Sequence, residues 1–174
     1  MKRIFVVITA CCLLLLQACL MGNSNKVAAS KLITRQRCSF NLPEDLALKQ
    51  IDTTEFDKEG YFKIGSEDGN ELLQIFVYDH ASDPAEHLSN QEKAINSPEV
   101  FTAKTITPAS HWGKYTGKGV VMNGTYNGGV IKGTVKIFAY TNNKNSFVVI
   151  RQDIGSHDAA KAEVDQVENS FALK

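Results

Sequence analysis

Residues 71–79 constrain the fold of this chain more than any other segment. Successive side chains of a β-strand point to opposite faces of the sheet. Both faces of this segment are apolar, with Leu73, Ile75 and Val77 on one and Leu72, Phe76 and Tyr78 on the other. A strand of this kind is stable when both of its faces are covered. We therefore expect it to lie in a sheet that is packed on both sides.

A helix is predicted directly after this strand. Asp83 can cap its first turn, Pro84 suits the first helical position, and Glu86 lies three residues after the cap. The helix should end near Ile95, before the breaking sequence at 96–98.

The remaining pattern is mostly one of strands and turns. Strands are predicted at 38–42, 46–51, 61–64, 100–107, 112–122, 130–141 and 147–152, with hairpin turns at 123–129 and 142–145. A second helix should begin near Asp158, because one apolar stripe follows it: Ala160, Val164, Val167 and Phe171. This order predicts an α+β domain with an antiparallel sheet.

The N-terminus has the parts of an export signal. Residues 1–3 are a short basic start, and residues 4–16 are uncharged and almost all apolar. A membrane-spanning helix needs about 20 apolar residues, so this run is too short to be one. The following Leu16-Gln17-Ala18-Cys19 resembles the bacterial lipobox. The resemblance implies attachment of a diacylglyceryl group to the thiol of Cys19, cleavage before Cys19, and an acyl chain on the amino group that cleavage exposes.

A second match to the same pattern ends at Cys11, but it would leave an apolar stretch of only seven residues, so Cys19 is preferred. Leu20 follows, where aspartate usually retains a Gram-negative lipoprotein at the inner membrane. The expected location is therefore the cell envelope, facing the periplasm or the cell surface, with the outer membrane favoured in a Gram-negative organism.

The chain divides into a signal peptide at 1–18, a lipid attachment site and flexible tether at 19–37, and a single folded domain at 38–174. The sequence has 19 basic and 19 acidic residues, and removal of the signal takes Lys2 and Arg3, which leaves a net charge of −2. Nucleic-acid binding requires a positive excess and is not expected. We expect a monomer that is anchored to a membrane through Cys19. Cys38 then has no disulfide partner and is interpreted as a small buried residue of a strand.

The folded region also resembles a known family. The residues that carry the likeness are Phe40-Asn41-Leu42-Pro43, the two-sided strand 72–78, the capped helix after it, and Val167-Glu168-Asn169-Ser170-Phe171. These are similar to the PsbP-like family of exported and lipid-anchored domains, over about residues 38–174. The resemblance implies an α/β/α sandwich around an antiparallel sheet, with roles in binding and assembly.

Three motifs that could indicate catalysis or metal binding fail on spacing. The glycines at 113–119 are too close for a phosphate-binding loop, and no hydroxyl follows the lysine. Ser156, His157 and Asp158 are adjacent, whereas a hydrolytic triad converges from separate elements. The possible metal ligands between His80 and His87 lack a known ligand spacing. No cofactor and no metal site are predicted.

One face of the central hairpin is a candidate binding surface. If strand 112–122 pairs symmetrically with strand 130–141, Trp112 lies opposite Tyr140 and Lys114 lies opposite Phe138. Three further lysines would share this face: Lys118, Lys132 and Lys136. The opposite, apolar face would comprise Tyr115, Val121, Ile131, Val135 and Ile137. The aromatic face could bind a partner or an anionic ligand, or its rings could pack beneath a helix while the lysines reach solvent.

We expect a noncatalytic, lipid-anchored envelope domain that binds a partner protein or assists assembly. The alternatives are a metal-dependent hydrolase that uses the His80–His87 region, and a passive surface lipoprotein.

The lipobox interpretation predicts the behaviour of one variant. Cys19→Ser removes the thiol that accepts the lipid, so the full-length precursor should accumulate without lipid, as seen by gel mobility and metabolic labelling with a fatty acid. Continued cleavage after residue 18, with the product still in the membrane fraction, would contradict the interpretation.

Overall fold

The structure, a computed structural model, describes residues 29–50, 60–66, 69–97, 99–154 and 158–174. The predicted signal peptide, Cys19 and most of the predicted tether lie outside these ranges. None of the helices in the described ranges is long and apolar enough to cross a membrane.

A small antiparallel sheet joins the two ends of the described chain. It comprises β1 (Ser30–Thr34), β2 (Cys38–Pro43) and β10 (Ala172–Leu173), with β2 in the middle. The predicted tether therefore extends too far, because residues 30–34 belong to the folded domain. Ile33 lies opposite Phe40 and is 6% exposed. This strand could not be predicted from the sequence, because only two of its five residues are apolar and it is stabilised by pairing with β2.

A larger antiparallel sheet of seven strands forms the centre of the domain. Its strands are β3 (Leu46–Gln50), β4 (Tyr61–Ser66), β5 (Glu71–Tyr78), β6 (Phe101–Trp112), β7 (Tyr115–Tyr126), β8 (Ile131–Thr141) and β9 (Ser146–Ile154). The strand order is β3-β4-β5-β9-β8-β7-β6. The chain therefore crosses from β5 to the far edge and returns as a meander, which places β9 beside β5.

One helix lies against each face of this sheet. Helix α1 (Pro84–Ile95) begins as predicted, with Asp83 Oδ1 accepting a hydrogen bond from the Ala85 amide at 2.8 Å. Helix α2 (Asp158–Ser170) packs with its predicted apolar stripe on the opposite face. The two-helix α+β fold predicted from the sequence is confirmed.

Two hydrophobic cores fill the space between the layers. The α2-side core also contains the small sheet and comprises Ile33, Cys38, Phe40, Leu46, Phe62, Ile64, Leu72, Leu73, Ile75, Val77, Trp112, Phe138, Phe147, Val149, Val164, Val167 and Phe171. The α1-side core comprises Phe76, Phe101, Met122, Tyr126, Val135, Ile137, Ala139, Val148 and Ile150, against which Leu88 and Ile95 of α1 pack. Strand β5 contributes to both cores, as its two apolar faces predicted.

Leu72 is the exception on β5, because it joins Leu73 in the α2-side core. The pairing with β4 shifts by one residue between Ile64 and Gly65, which lie opposite Leu73 and Glu71. Such a β-bulge interrupts the alternation of side chains. Cys38 is a buried residue of β2, as predicted.

The pairing of β1 predicts where the folded domain begins. A chain from Ala29 to Lys174 should unfold cooperatively. A chain from Arg37 lacks β1 and the buried Ile33, and it should be less stable by at least about 2 kcal/mol, the typical value for burying one such side chain. Urea denaturation of the two chains measures the difference. Equal midpoints and equal slopes would show that β1 contributes nothing.

Candidate functional site

The predicted register of the β7–β8 hairpin is wrong. Strand β7 continues to Tyr126, so the connection lies at 127–130 rather than at 123–129. Val121 consequently lies opposite Lys136, and Met122 lies opposite Val135. The observed register differs from the predicted one by an odd number of residues, which exchanges the two faces of β7.

This exchange separates side chains that were predicted to share a face. Lys132 and Lys136 remain on the α2 side of the sheet with Phe138. Lys118 lies two and four residues before Val120 and Met122, which pack on the α1 side of the sheet. Residues two apart in a strand share a face, so Lys118 is on the α1 side, opposite Lys132 and Lys136.

The predicted binding surface of Trp112, Lys114, Phe138 and Tyr140 does not form. Trp112 ends β6 and pairs with Tyr115 across the turn, and both Trp112 and Phe138 are completely buried. Lys114 is exposed in that turn, with its Nζ 5.6 Å from the centroid of the Tyr115 ring, and Tyr140 is half-buried. Trp112 and Phe138 therefore follow the alternative given above, in which the aromatic rings pack in the core beneath a helix.

Both histidines considered as metal ligands contact the ring of Tyr78. The ring centroid of Tyr78 is 5.6 Å from that of His80 and 4.6 Å from that of His87. The hydrogen bond from His80, with the nearby charge of Arg37, lowers the pKa of Asp79. Burial lowers the pKa of His87. Within the described ranges, no three His, Cys, Asp or Glu side chains converge as metal ligands.

A groove lies where α2 leaves part of the larger sheet uncovered. A helix of 13 residues is roughly 20 Å long, whereas strands of 11 and 12 residues span roughly 36–40 Å. The C-terminal part of α2 covers the aromatic half of β8, and its N-terminal turns form one wall of a cavity of about 500 Å³ over the other half.

Polar side chains form the floor of this groove. Thr105, Asn123 and Thr134 lie side by side on β6, β7 and β8. The Thr134 hydroxyl donates to Asn123 Oδ1 at 2.8 Å, and Asn123 Nδ2 approaches Thr105 Oγ1 at 3.5 Å. The wall formed by α2 and the start of β5 is partly apolar, with Ala160 and Val164 on α2 and Leu72 on β5. The groove can therefore contact both a polar group and a small apolar group.

Three lysines surround the groove, Lys104 on β6, Lys132 on β8 and Lys161 on α2. Lys104 lies at a register shift between Ala103 and Thr105, where a bulge changes the direction of a side chain. All three lysines are exposed, and none forms an ion pair with another described residue.

The acidic residue of the groove already has a cationic partner. Asp153 Oδ1 lies 3.3 Å from Nε of the buried Arg151. The same guanidinium contacts Asp165 at 2.5 Å and Glu168 at 3.3 Å, both on α2. Lys136 also pairs with Glu168, at 3.2 Å, so two cations face these three carboxylates. The addition of Lys104, Lys132 and Lys161 leaves an excess of positive charge, which makes the groove a favourable place for an anion.

Two glycines allow aromatic rings to support the groove floor from the α1 side. A Cβ on Gly133 would lie 2.5 Å from the Tyr126 ring, and one on Gly124 would lie 2.8 Å from the Phe101 ring. The two rings contact each other with centroids 4.7 Å apart. Burial raises the pKa of Tyr126. The paired glycines therefore fix the position of the β6–β8 strands beneath the groove.

Sequence reasoning identified only part of this groove. It placed Lys132 on a face with other lysines, because β8 alternates polar and apolar residues there. Lys104 was missed because a bulge cannot be inferred from alternation, and Lys161 because it lies on a separate helix. The polar run Lys132, Thr134 and Lys136 on one face of β8 was the available signal.

No family model matches the chain, and no curated protein is similar to it in sequence. Solved structures are similar in fold. Cyanobacterial PsbP (CyanoP) from Synechocystis sp. aligns with a TM-score of 0.50 and 10% identity over 88% of this chain and 99% of that chain. This chain has a PsbP-like fold.

Two further structures are similar. A crystal structure from Bacteroides thetaiotaomicron has a TM-score of 0.50 and 13% identity over 84% of this chain. This chain spans 48% of that protein, or about half its length. LpqN of Mycobacterium tuberculosis, described as involved in cell envelope biogenesis, has a TM-score of 0.45 and 13% identity over 87% of each chain. At 10% and 13% identity, the two alignments with a TM-score of 0.50 show the fold alone.

The burial of Trp112 predicts a loss of stability rather than of binding. Trp112→Ala should lower the free energy of unfolding by about 3–5 kcal/mol, as truncations of buried aromatic residues do. Lys114→Ala, two residues away in the exposed turn, is the control and should change it by less than about 0.5 kcal/mol. Chemical denaturation measures both. A Trp112→Ala domain as stable as the control would mean that the ring is not part of the core.

Proposed function

We propose that this protein is a noncatalytic, lipid-anchored domain of the cell envelope that binds an anionic ligand, or an acidic segment of a partner protein, in the groove between α2 and strands β6–β8. The observation that carries the proposal is the groove itself. Three lysines without a described ionic partner surround a polar floor, beside a buried arginine that pairs with the nearby Asp153.

The chemistry of the groove suits an anion with a small apolar part. Lysine supplies a flexible ammonium group with three donors, which adapts to phosphate or carboxylate oxygens. The hydroxyl and amide groups of Thr105, Asn123 and Thr134 add short-range hydrogen bonds that give orientation. The apolar wall at Ala160 and Val164 accommodates the carbon skeleton that carries the charged group.

The lipid anchor is supported by the sequence. Ten residues follow the lipobox-like Leu16–Cys19 run before β1 begins at Ser30, and half of them are glycine or polar. Two lipid chains stabilise membrane attachment far more than one, since each buried methylene contributes about 0.8 kcal/mol. Cys19 would therefore hold the domain at a membrane surface, facing the periplasm or the cell exterior.

The two alternatives are distinguishable from this function. A metal-dependent hydrolase would bind a stoichiometric metal near His80 and His87, which elemental analysis of the purified protein detects. In the structure the ring of Tyr78 contacts both histidine rings, and Asp83 is used as a helix cap. A passive surface lipoprotein would retain no envelope component at all.

A matched pair of charge reversals tests the groove. Lys132→Glu should weaken capture of the bound envelope component at least about tenfold, because a charge-assisted hydrogen bond contributes about 1.5–3 kcal/mol. Lys144→Glu changes the charge equally in the turn at the other end of β8, and it should leave binding intact. Affinity capture from envelope extract, followed by titration with the captured component, measures both. Equal binding by the two variants would exclude the groove as the site.

A further inference from the structure

The start of β1 and the tip of the β7–β8 hairpin lie at one end of the molecule. In the larger sheet, Gly133 of β8 is opposite Ile154, and Ile131 is opposite Tyr126. The antiparallel pairings of β9 with β5, β5 with β4 and β4 with β3 place the start of β3 at the same end of the sheet. Strand β3 follows directly from the turn after Pro43. Ser30 pairs with Pro43. The chain therefore enters the domain at the end from which this hairpin extends.

The hairpin tip extends beyond β9 and carries exposed apolar side chains. Because Gly133 is level with the last residue of β9, residues 127–132 project past that strand. Val130 is 81% exposed and Ile131 is 37% exposed, whereas both are types that usually lie inside a domain. Val100, at the start of the neighbouring β6, is 46% exposed.

Cationic side chains surround these apolar ones. Lys132 follows Ile131 directly, and Lys104 lies on β6 at the same end. Glu99 and Asp153 are the acidic residues near the tip, and Asp153 is paired with Arg151. Glu44 and Asp45 are exposed at the same end of the molecule, but they lie in the turn before β3, at the opposite edge of the sheet from β6. Exposed aliphatic residues beside lysines are typical of surfaces that rest at the boundary between phospholipid headgroups and acyl chains.

The length of chain before β1 restricts how the domain can be oriented. Ten residues lie between Cys19 and Ser30, and the eleven Cα-to-Cα steps that join them span at most about 40 Å when fully extended. Strands of 12 residues give the sheet a similar length of about 40 Å. With a lipid on Cys19, the opposite end of the sheet could face the bilayer only if the tether were almost fully extended. The end that contains Ser30 and the hairpin tip therefore lies nearest to the bilayer.

We propose that this end is a membrane-docking surface, in which Val130, Ile131 and Val100 enter the headgroup region while Lys132 and Lys104 contact lipid phosphates. The inference rests on the lipid anchor of the proposed function. It adds that the lipid-anchored domain lies with its groove opening at the bilayer surface, so that the groove is presented to ligands at the membrane rather than in the aqueous space.

The experiment uses the lipidated protein in phospholipid vesicles. Val130→Cys is labelled with an environment-sensitive fluorophore, and Lys144→Cys at the opposite end of β8 carries the same label as a control. Cys38 is completely buried, so it does not compete for the label. Quenching by a nitroxide on the lipid is compared with quenching by aqueous iodide. The label at residue 130 should be quenched mainly from the lipid, and the label at residue 144 mainly from the water.

A second pair of variants tests the apolar contact in the Val130-labelled protein. Ile131→Asp should abolish lipid quenching, whereas Ile106→Asp, at an isoleucine of similar exposure in the middle of β6, should preserve it. Inclusion of anionic lipid should favour docking by about fivefold for each lysine that contacts the surface.

Each outcome decides one step of the inference. Protein that floats with the vesicles, but whose two labels are equally accessible to iodide, would retain the anchor and overturn the docking. Protein that does not float with the vesicles would overturn the anchor and the docking together. Lipid quenching that survives Ile131→Asp would likewise overturn the assignment of the tip.

Discussion

The docking of helix α2 on the larger sheet is the interaction on which the rest of the structure depends. The ring of Phe171 at its end lies 5.0 Å from that of Trp112, and β10 follows immediately. One turn earlier, Glu168 accepts hydrogen bonds from the amide of Gly113 at 2.9 Å and from Arg151 at 3.3 Å. A carboxylate in so buried a position is tolerated because cations and a backbone donor satisfy it. The helix thereby fixes the β6–β7 turn, the centre of the sheet and the small sheet.

The groove is a consequence of this docking. The aromatic contacts hold the C-terminal half of α2 over one half of the long strands, and a helix of 13 residues is too short to cover the other half. Arg151 then links the two regions, since it binds Asp165 on the helix and Asp153 at the groove. The fold thus produces a cationic cavity at one end of the sheet without any dedicated loop.

Local rules were sufficient for the parts of the fold that depend on neighbouring residues. The cap at Asp83, the stripe ending at Phe171 and the two apolar faces of β5 follow from periodicity and capping, and the structure contains all three. The rules were insufficient for pairings between distant segments. Strand β1 requires β2 as its partner. The β7–β8 register depends on the position of the connecting turn, and the two strands continue beyond the apolar residues from which that position was predicted. The shift by an odd number of residues moved Lys118 to the opposite face, whereas Trp112 and Phe138 remain on one side of the sheet and are buried in the α2-side core.

The sequence by itself determined the α+β class, the two helices, the two-sided central strand and the lipobox-like start of the chain, because each is encoded within a few consecutive residues. Only the tertiary structure decided that Trp112 and Phe138 are core, and that Lys104, Lys132 and Lys161 surround one groove. Those lysines come from β6, β8 and α2, which are brought together by strand register, a bulge and the docking of a helix. Such long-range packing is a property of the whole domain and leaves no periodic signal along the chain.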